Sequence, residues 1–572
     1  MNYVPINGVR MLGVETAVLL LFTVVAWLAF RRWAKSIPHP RWLEAILVKN
    51  WRSVLFVVSV ALVSRALLLP FLGIPQPRIN DEYSYLLMAD TFSHGRLTNP
   101  TPPDFHHFET FHVNFVPTYH SKYGVAPGVA LAFGEVLFHQ PWVGVYLTTA
   151  LLCGAICWAL QAFVPARWAL LVALLATVRI APFSYWMNSY WGGSMAALGG
   201  TLALGSVVRL FDPQVGERKR VWLSVLFAIS LLILATSRPY EGFAFAIPLL
   251  IYFAYKLAIG LRQRTTQLRS TALPVIAVGL AGLAMMGYYN QRTTGDPLLL
   301  PHLLNERTYS PLPLFLWQGA KTFSDFPDPV FKSFYETTEK AYGYKRIRSG
   351  ADFVGLELNR LLVNWFFYCG VALSLPALIG FITAIKHPRL RIVVLVFGST
   401  LTAVALCTYI LLHYAAPTTV AIYVFVAEGL YYLWDQGDSA RAFVVAACLT
   451  VAITSLTRQT GSASDIYRSP FPNIRQTITE QLEKQPGKQL VVVSYDLDHH
   501  YPGDELVHNW ANFASEKILW ARSEGSDSDK DLCRYFADRQ FWNVTTDDVR
   551  YTLSPADFCN RRDVTAAQSN GR

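Results

Sequence analysis

The sequence predicts a mainly α-helical bundle that crosses a membrane about twelve times, with a small extracytoplasmic α/β domain at its C-terminal end. Three observations predict it. Of the 572 residues, 53% are hydrophobic and only 15% charged, whereas a soluble chain is about one quarter charged. Apolar runs of about 20 residues, the length that spans a bilayer, recur along the chain. The Lys and Arg between those runs cluster on alternate loops, as they do on the cytoplasmic side of membrane proteins. The net charge of +10 therefore reflects membrane topology, and no nucleic-acid partner is expected.

In order, the candidate spans are Met11–Phe30, Ser53–Gly73, Pro141–Val164, Trp168–Met187, Ser194–Phe211 and Val221–Ser237. Then come Phe243–Gly260, Thr271–Tyr289, Leu358–Ile385, Ile392–Leu412, Thr418–Trp434 and Ala442–Leu456. Gly124–His139 is apolar but shorter, with Pro127 and Glu135 inside it, and reads as an interfacial or re-entrant helix. The first loop carries Arg31, Arg32, Lys35, Arg41, Lys49 and Arg52. With that side taken as inside, Arg167, Arg218–Arg220, Arg262–Arg269, Lys386–Arg391 and Arg441 all fall inside too. Counting Gly124–His139 as a span would break that agreement. The remaining loops and the tail then face outward.

Residues 1–52 read as an extra N-terminal helix with a basic loop, and 53–457 as the membrane region with outer loops 74–140 and 290–357. Residues 474–572 read as the outer α/β domain. Within it Gln489–Tyr495, Lys517–Ala521 and Gln540–Val544 are strand candidates and Asp531–Arg539 a helix. Five cysteines lie in apolar runs, where they act as small hydrophobes. Cys533 and Cys559 lie in the tail and are expected to pair on an oxidising outer face. The first apolar run has no small-residue cleavage site after it, so no cleavable signal peptide is evident.

The polar outer segments carry the candidate chemistry. Asn80-Asp81-Glu82-Tyr83 opens the first outer loop. Asn80 capping a helix, with two acids complementing its dipole, accounts for this string. So does a carboxylate placed to take a proton from an attacking hydroxyl. His106, His107, Glu109, His112 and His120 follow, but their spacing matches no metal signature, and a polar loop is expected. Lys122-Tyr123 precedes the short helix. A lysine there snorkels to the interface or meets a phosphate as a point charge. Ser237-Arg238-Pro239-Tyr240-Glu241-Gly242 joins two spans. A charge at that boundary is costly unless paired or functional, so Arg238 and Glu241 either pair with each other or serve a phosphate and a sugar hydroxyl. His413 closes a later outer turn as a structural or substrate-binding residue. Asp496, Asp498, His499, His500, Asp504 and Glu505 read as a solvated loop.

Together these segments resemble the GT-C glycosyltransferases, which use polyprenyl-phosphate-linked sugars. The nearest branches are the family 39 protein O-mannosyltransferases and the aminoarabinose-to-lipid-A transferases. An acidic pair, Asp81-Glu82, opens the outer loop, an aromatic helix runs from Tyr83 to Gly95, and Lys122-Tyr123 stands ahead of Pro127. The chain is similar, more narrowly, to a bacterial group with the strings Arg96-Leu97-Thr98-Asn99-Pro100-Thr101, Asn188-Ser189-Tyr190-Trp191-Gly192-Gly193 and Ser237 to Gly242. Relatives often carry adjacent prolines after the tyrosine, where this chain has Gly124-Val125-Ala126 before Pro127.

The resemblance implies an inverting sugar transfer in the bacterial cytoplasmic membrane, with the site and the tail facing outward. It implies Asp81 as the base, Glu82 assisting it, and Lys122 on the lipid phosphate. Arg238 is our own addition to the phosphate site. Tyr83, Tyr123, Glu241 and His413 are expected to bind substrate. The partners would be a polyprenyl-phosphate sugar donor, membrane lipid, and a glycan, lipid or protein acceptor. No metal ligands are assigned, and a divalent ion is compatible with the reaction but not required by it. The rival readings are a lipid or sugar transporter or flippase, which predicts charges and broken helices at mid-membrane, and a non-catalytic scaffold.

Overall fold

The computed structural model describes residues 6–33, 44, 46–47, 49–264, 267–319, 331–336, 347, 349–409, 411–457, 473–496, 505–547 and 549–556. Its membrane part begins with α1 (Ile6–Trp33), α2 (Asn50–Leu67) and the short α3 (Leu69–Leu72). The first outer loop holds α4 (Asn80–Ser93), a small hairpin of β1 (Val113–Asn114) and β2 (His120–Ser121), and α5 (Val125–Phe138). Next come α6 (Trp142–Leu160), α7 (Ala166–Ile180), α8 (Ser194–Leu210), α9 (Glu217–Ser237), α10 (Pro239–Arg262) and α11 (Leu268–Thr294). The second outer loop contains α12 (Pro301–Tyr309). The bundle closes with α13 (Gly350–Tyr368), α14 (Ser374–Lys386), α15 (Arg391–Ala405), α16 (Thr419–Trp434) and α17 (Asp438–Thr457).

Every apolar run singled out in the sequence carries a helix. Among the described residues eight helices are long and apolar enough to cross a membrane, or nine if α14 and α15, bent by 114° at their junction, count as one span. The chain is a multi-pass membrane protein of helical-bundle class. The short helix α5 has 14 residues, about 21 Å of rise, less than the ~30 Å of a hydrocarbon core. It is held by backbone packing. A Cβ on Gly134 would lie 2.7 Å from the Gln140 carbonyl and the Gly144 amide, so α5 and α6 touch main chain to main chain.

One expected span, Leu358–Ile385, is two helices. The chain breaks between α13 and α14 at Gly370, whose φ is +60° in the left-handed region that favours glycine. Breaking a helix inside a bundle orphans backbone groups, and two buried charges take them up. Arg179 donates to Phe366 O at 2.8 Å and Phe367 O at 3.0 Å. Glu15 on α1 accepts from Ala372 N at 3.3 Å, and its carboxylate lies 3.9 Å from Arg179. A Cβ at Gly370 would run into that carboxylate.

The tail begins with α18 (Ile474–Leu482) and forms a sheet of β3 (Lys488–Tyr495), β4 (Ile518–Arg522), β5 (Arg539–Thr546) and β6 (Tyr551–Pro555). The order is β4-β3-β5-β6, with β3 parallel to both neighbours and β6 antiparallel to β5. Helix α19 covers Ser526–Tyr535 and not Asp531–Arg539, because Arg539 already pairs in β5 against Lys488. Glu505 is buried, 2.8 Å from Arg522, and so is not part of a solvated loop. Cys533 is disulfide-bonded, and its expected partner Cys559 lies outside the described residues, as do Asp498, His499, His500 and Asp504.

The sheet does not stand apart from the first outer loop. Phe108, Phe115 and Tyr119 share one apolar core with Leu490, Leu519 and Phe536. Tyr119 donates to Asn509 O at 2.8 Å, and His107 Nδ1 lies 2.8 Å from Arg522 O.

Removing one partner of a buried ion pair strands the other charge, at a cost of about 3 kcal/mol. Glu15→Ala should therefore lower the thermal midpoint of the detergent-solubilised protein, whereas Glu44→Ala in the basic loop should not. Equal midpoints for the two variants would refute the account of the broken helix.

Candidate active site

The geometry starts at the first turn of α4. Glu82, not Asn80, satisfies the helix start. Its carboxylate reaches back to Arg78 N at 2.8 Å and Ile79 N at 3.4 Å, and its other oxygen accepts from Tyr190 N at 2.9 Å. Glu82 is buried among these amides, and burial pushes its pKa up to about 7 against their pull. Asp81, one residue earlier on the helix, lines a cavity of about 2000 Å³. The two acids therefore separate: Asp81 faces the chamber and Glu82 faces the frame. Glu82 does not sit where a second acid would assist Asp81.

Tyr83 also points away from the chamber. Its ring stacks on His508 of the tail at 4.0 Å, and the Arg475 guanidinium lies 5.0 Å from it. It braces α4 against the sheet and does not reach a substrate in the cavity. Ala511 N reinforces this contact by donating to Asp90 Oδ2 at 2.7 Å.

Around Asp81 the loop is tied tightly. Tyr123 donates its hydroxyl to Asp81 Oδ1. His112 Nε2 lies 3.5 Å from Asp81 Oδ2. The His112 carbonyl accepts from Ser84 Oγ at 2.6 Å and from Lys122 N at 3.1 Å. Ser84 sits one turn beyond Asp81 on α4, so a single helix face fixes Asp81, His112 and the start of Lys122. The other histidines of this loop disperse: His106 pairs with Glu109, His107 meets the tail, and His120 lies against Asn114 and Thr118. Among the described residues no group of three or more His, Cys, Asp or Glu is placed to hold a metal.

Two cations border the same chamber, and their surroundings differ. Lys122 Nζ is 3.2 Å from Glu306 Oε1 on α12, with His302 another 3.9 Å from that oxygen. Burial would raise the Glu306 carboxyl, but Lys122 and His302 hold it below its usual range. Arg238 forms no ion pair among the described residues, and its guanidinium lies 4.4 Å from the centroid of the Tyr414 ring. Glu241 is buried in the lining and is attracted to Arg238, but among the described residues the two do not come within ion-pair distance. His413 also lines the cavity, edge-on to Trp191 at 4.7 Å and 3.2 Å from the Tyr185 hydroxyl.

Away from this polar end the lining turns apolar, through Val129, Phe133 and Leu137 of α5, Leu151 of α6, Leu232 of α9 and Met285 of α11. Phe133 is 49% exposed, Leu137 58% and Met285 72%, so the chamber continues into a groove on the outside of the bundle. Glu306, His302 and Tyr414 were not singled out from the sequence. The His302–Glu306 spacing on one helix face is the signal that could have found those two; no local pattern marks Tyr414.

No family model matches the chain, and no curated protein sequence does. The structure is similar to solved membrane enzymes. The oligosaccharyltransferase of Archaeoglobus fulgidus, crystallised with Zn and sulfate, aligns at 12% identity and a TM-score of 0.47 over 77% of this chain and 60% of that one. The archaeal oligosaccharyltransferase AglB, also from Archaeoglobus fulgidus, in complex with an inhibitory peptide and a dolichol-phosphate aligns at 11% identity and a TM-score of 0.49, over 78% of this chain and 62% of that one. ArnT from Cupriavidus metallidurans bound to undecaprenyl phosphate aligns at 14% identity and 0.49, over 89% of this chain and 99% of that one. Both enzymes are GT-C superfamily members. The chain thus spans 60% of the archaeal enzyme's length. At such identities and scores these are likenesses only, and the functional reading rests on this chain's own residues.

The raised pKa of Glu82 has a sign that can be measured. A carboxyl that titrates near 7 when folded and at about 4.3 when unfolded binds more protons in the folded state between those values. Its contribution to stability is complete below the unfolded value and is lost as pH rises through the folded one. Glu82→Gln removes that titration. The midpoint of the wild type relative to this variant should fall between about pH 4 and pH 7; a constant difference would show that Glu82 titrates as in the unfolded chain.

Proposed function

We propose that the protein is an inverting glycosyltransferase that moves a sugar from a polyprenyl-phosphate donor to an acceptor at the outer face of the bacterial cytoplasmic membrane. One observation carries the reading. The guanidinium of Arg238, which closes no ion pair among the described residues, stands at the polar end of a groove whose other end is apolar and open to the bilayer side. An apolar chain with an anionic head fits that sequence of environments.

The residues divide the work accordingly. The lipid chain lies along α5, α9 and α11, and its phosphate meets Arg238 and the Lys122 ammonium. Bound phosphate would compete with Glu306 for Lys122. Asp81 supplies the negative, proton-accepting side of the site, and Tyr123 holds it in place. Charges fixed in advance around a departing phosphate stabilise the transition state without reorganising. Glu241 and His413 are available to sugar hydroxyls. No step requires a divalent ion. The acceptor is a hydroxyl- or amine-bearing glycan, lipid or protein. The disulfide-bonded Cys533 supports an outward-facing tail, since disulfides persist in oxidising compartments.

The transporter reading looks for a broken helix lining the path. The break at Gly370 is filled by Arg179 and Glu15, and neither these residues nor Cys369–Leu373 line the cavity, so it lends that reading no support.

Two measurements test the proposal. Arg238→Ala should weaken binding of undecaprenyl phosphate by about tenfold or more, as expected for a lost charge-assisted hydrogen bond of about 1.5–3 kcal/mol, while the fold persists. Asp81→Asn should keep that binding and lose sugar transfer by a factor of about 10² to 10⁴. Wild-type binding by the Arg238 variant, or wild-type turnover by the Asp81 variant, would overturn it.

A further inference from the structure

His112 occupies an unusual position for a loop residue. Its φ is +65°, in the left-handed region that few residues other than glycine adopt, Asn, Asp and His most readily. The backbone is kept there by the two hydrogen bonds to its carbonyl from Ser84 Oγ and Lys122 N. The consequence of that clamp is the direction of the ring. It faces Asp81 with Nε2 and borders the cavity.

The two ring nitrogens are not equivalent. Nε2, 3.5 Å from the Asp81 carboxylate, is the nitrogen that carries the proton, because the neighbouring carboxylate accepts it. In a neutral imidazole the other nitrogen then holds a lone pair. That nitrogen, Nδ1, is buried and has no hydrogen-bond partner among the described residues, and a buried polar atom left unpaired is uncommon enough to call for an explanation. Asp81, by contrast, is already engaged on both sides, by the Tyr123 hydroxyl on Oδ1 and by His112 on Oδ2. The charged and titratable groups around the imidazole are Asp81 on α4, Lys122 after the hairpin, His302 and Glu306 on α12, and His508 of the tail. Burial and Lys122 together push His112 down to about 4, so the ring is neutral near pH 7.

We propose that Asp81 and His112 form a dyad in which His112 Nδ1, not Asp81 alone, takes the proton from the acceptor. The proposal rests on the transferase reading. The acceptor oxygen forms a bond to the anomeric carbon of the sugar, and the bond from that carbon to the phosphate oxygen breaks. Its electron pair leaves with the polyprenyl phosphate, whose added charge meets Arg238. The proton from the acceptor passes to Nδ1, and the imidazolium is stabilised by the Asp81 carboxylate at Nε2. Proton release to solvent restores the neutral ring.

Two substitutions separate this role from simple orientation. Gln in place of His112 offers an amide near the position of Nε2 and keeps a donor for Asp81, but it has no base at Nδ1. Asn tolerates the left-handed backbone and places a side-chain atom near Nδ1, again without a base. Wild type, Asp81→Asn, His112→Gln and His112→Asn are compared in liposomes. The donors are a panel of undecaprenyl-phosphate hexoses and pentoses, the acceptor is an envelope extract, and release of undecaprenyl phosphate is followed. Binding of undecaprenyl phosphate alone reports the fold of each variant.

Both His112 variants should bind undecaprenyl phosphate as the wild type does, leave the donor KM within a few-fold, and lose kcat by a factor of about 100 or more. If His112→Gln or His112→Asn turns over within tenfold of wild type while Asp81→Asn is inactive, the dyad is wrong and the transferase reading stands. If the wild type releases no undecaprenyl phosphate from any donor, that reading fails and takes the dyad with it.

Discussion

The position of everything in the chamber depends on how one helix starts. Glu82 collects three backbone amides, two from its own entry turn and one from Tyr190. This locks the first turn of α4 to the turn between α7 and α8. A carboxylate accepting several backbone N–H bonds is held in both place and orientation. The neighbouring residue is thereby aimed in the opposite sense, into the cavity. Two adjacent acids of the same chemistry thus serve different ends because a helix turns about 100° per residue.

The electrostatics of the chamber follow from a simple contrast. Lys122 is met by Glu306, a pair that can persist without a ligand. Arg238 is met by an aromatic face, a weaker interaction of about 1–2 kcal/mol. A guanidinium stacked this way stays available to an incoming anion, and its planar fork suits phosphate better than an ammonium does. The two cations therefore differ in readiness: one must exchange partners, the other only has to gain one.

Much of the frame was legible in the sequence because it is local. Apolar length located the helices, and the shortness of Gly124–His139 separated α5 from the spans. A Val-rich run located β3, and short apolar runs marked β4 and β5. Asp81, Lys122, Tyr123, Arg238, Glu241 and His413 were all named before the fold was known, and all of them line the cavity. What escaped was non-local. Glu306 lies 184 residues from Lys122, and nothing near either residue announces the other. Tyr83 reads as a substrate-binding residue until the tail, more than 420 residues later in the chain, is seen to claim it. The helix break at Gly370 was hidden because hydrophobicity continues through it. His112 was one of several histidines, and only its contact with Asp81 in the folded loop sets it apart.

The shared core of the first outer loop and the tail sheet bears on how the molecule is made. Phe108, Phe115 and Tyr119 emerge from the ribosome about 370 residues or more before Leu490, Leu519 and Phe536, the residues that cover them. Contacts so distant in sequence form late in folding. The loop that carries His112 and Lys122 must therefore wait, incompletely packed, through the insertion of nearly the entire bundle. Its final shape is set when the tail sheet docks, so a product truncated before that sheet would possess the helices yet lack an assembled chamber.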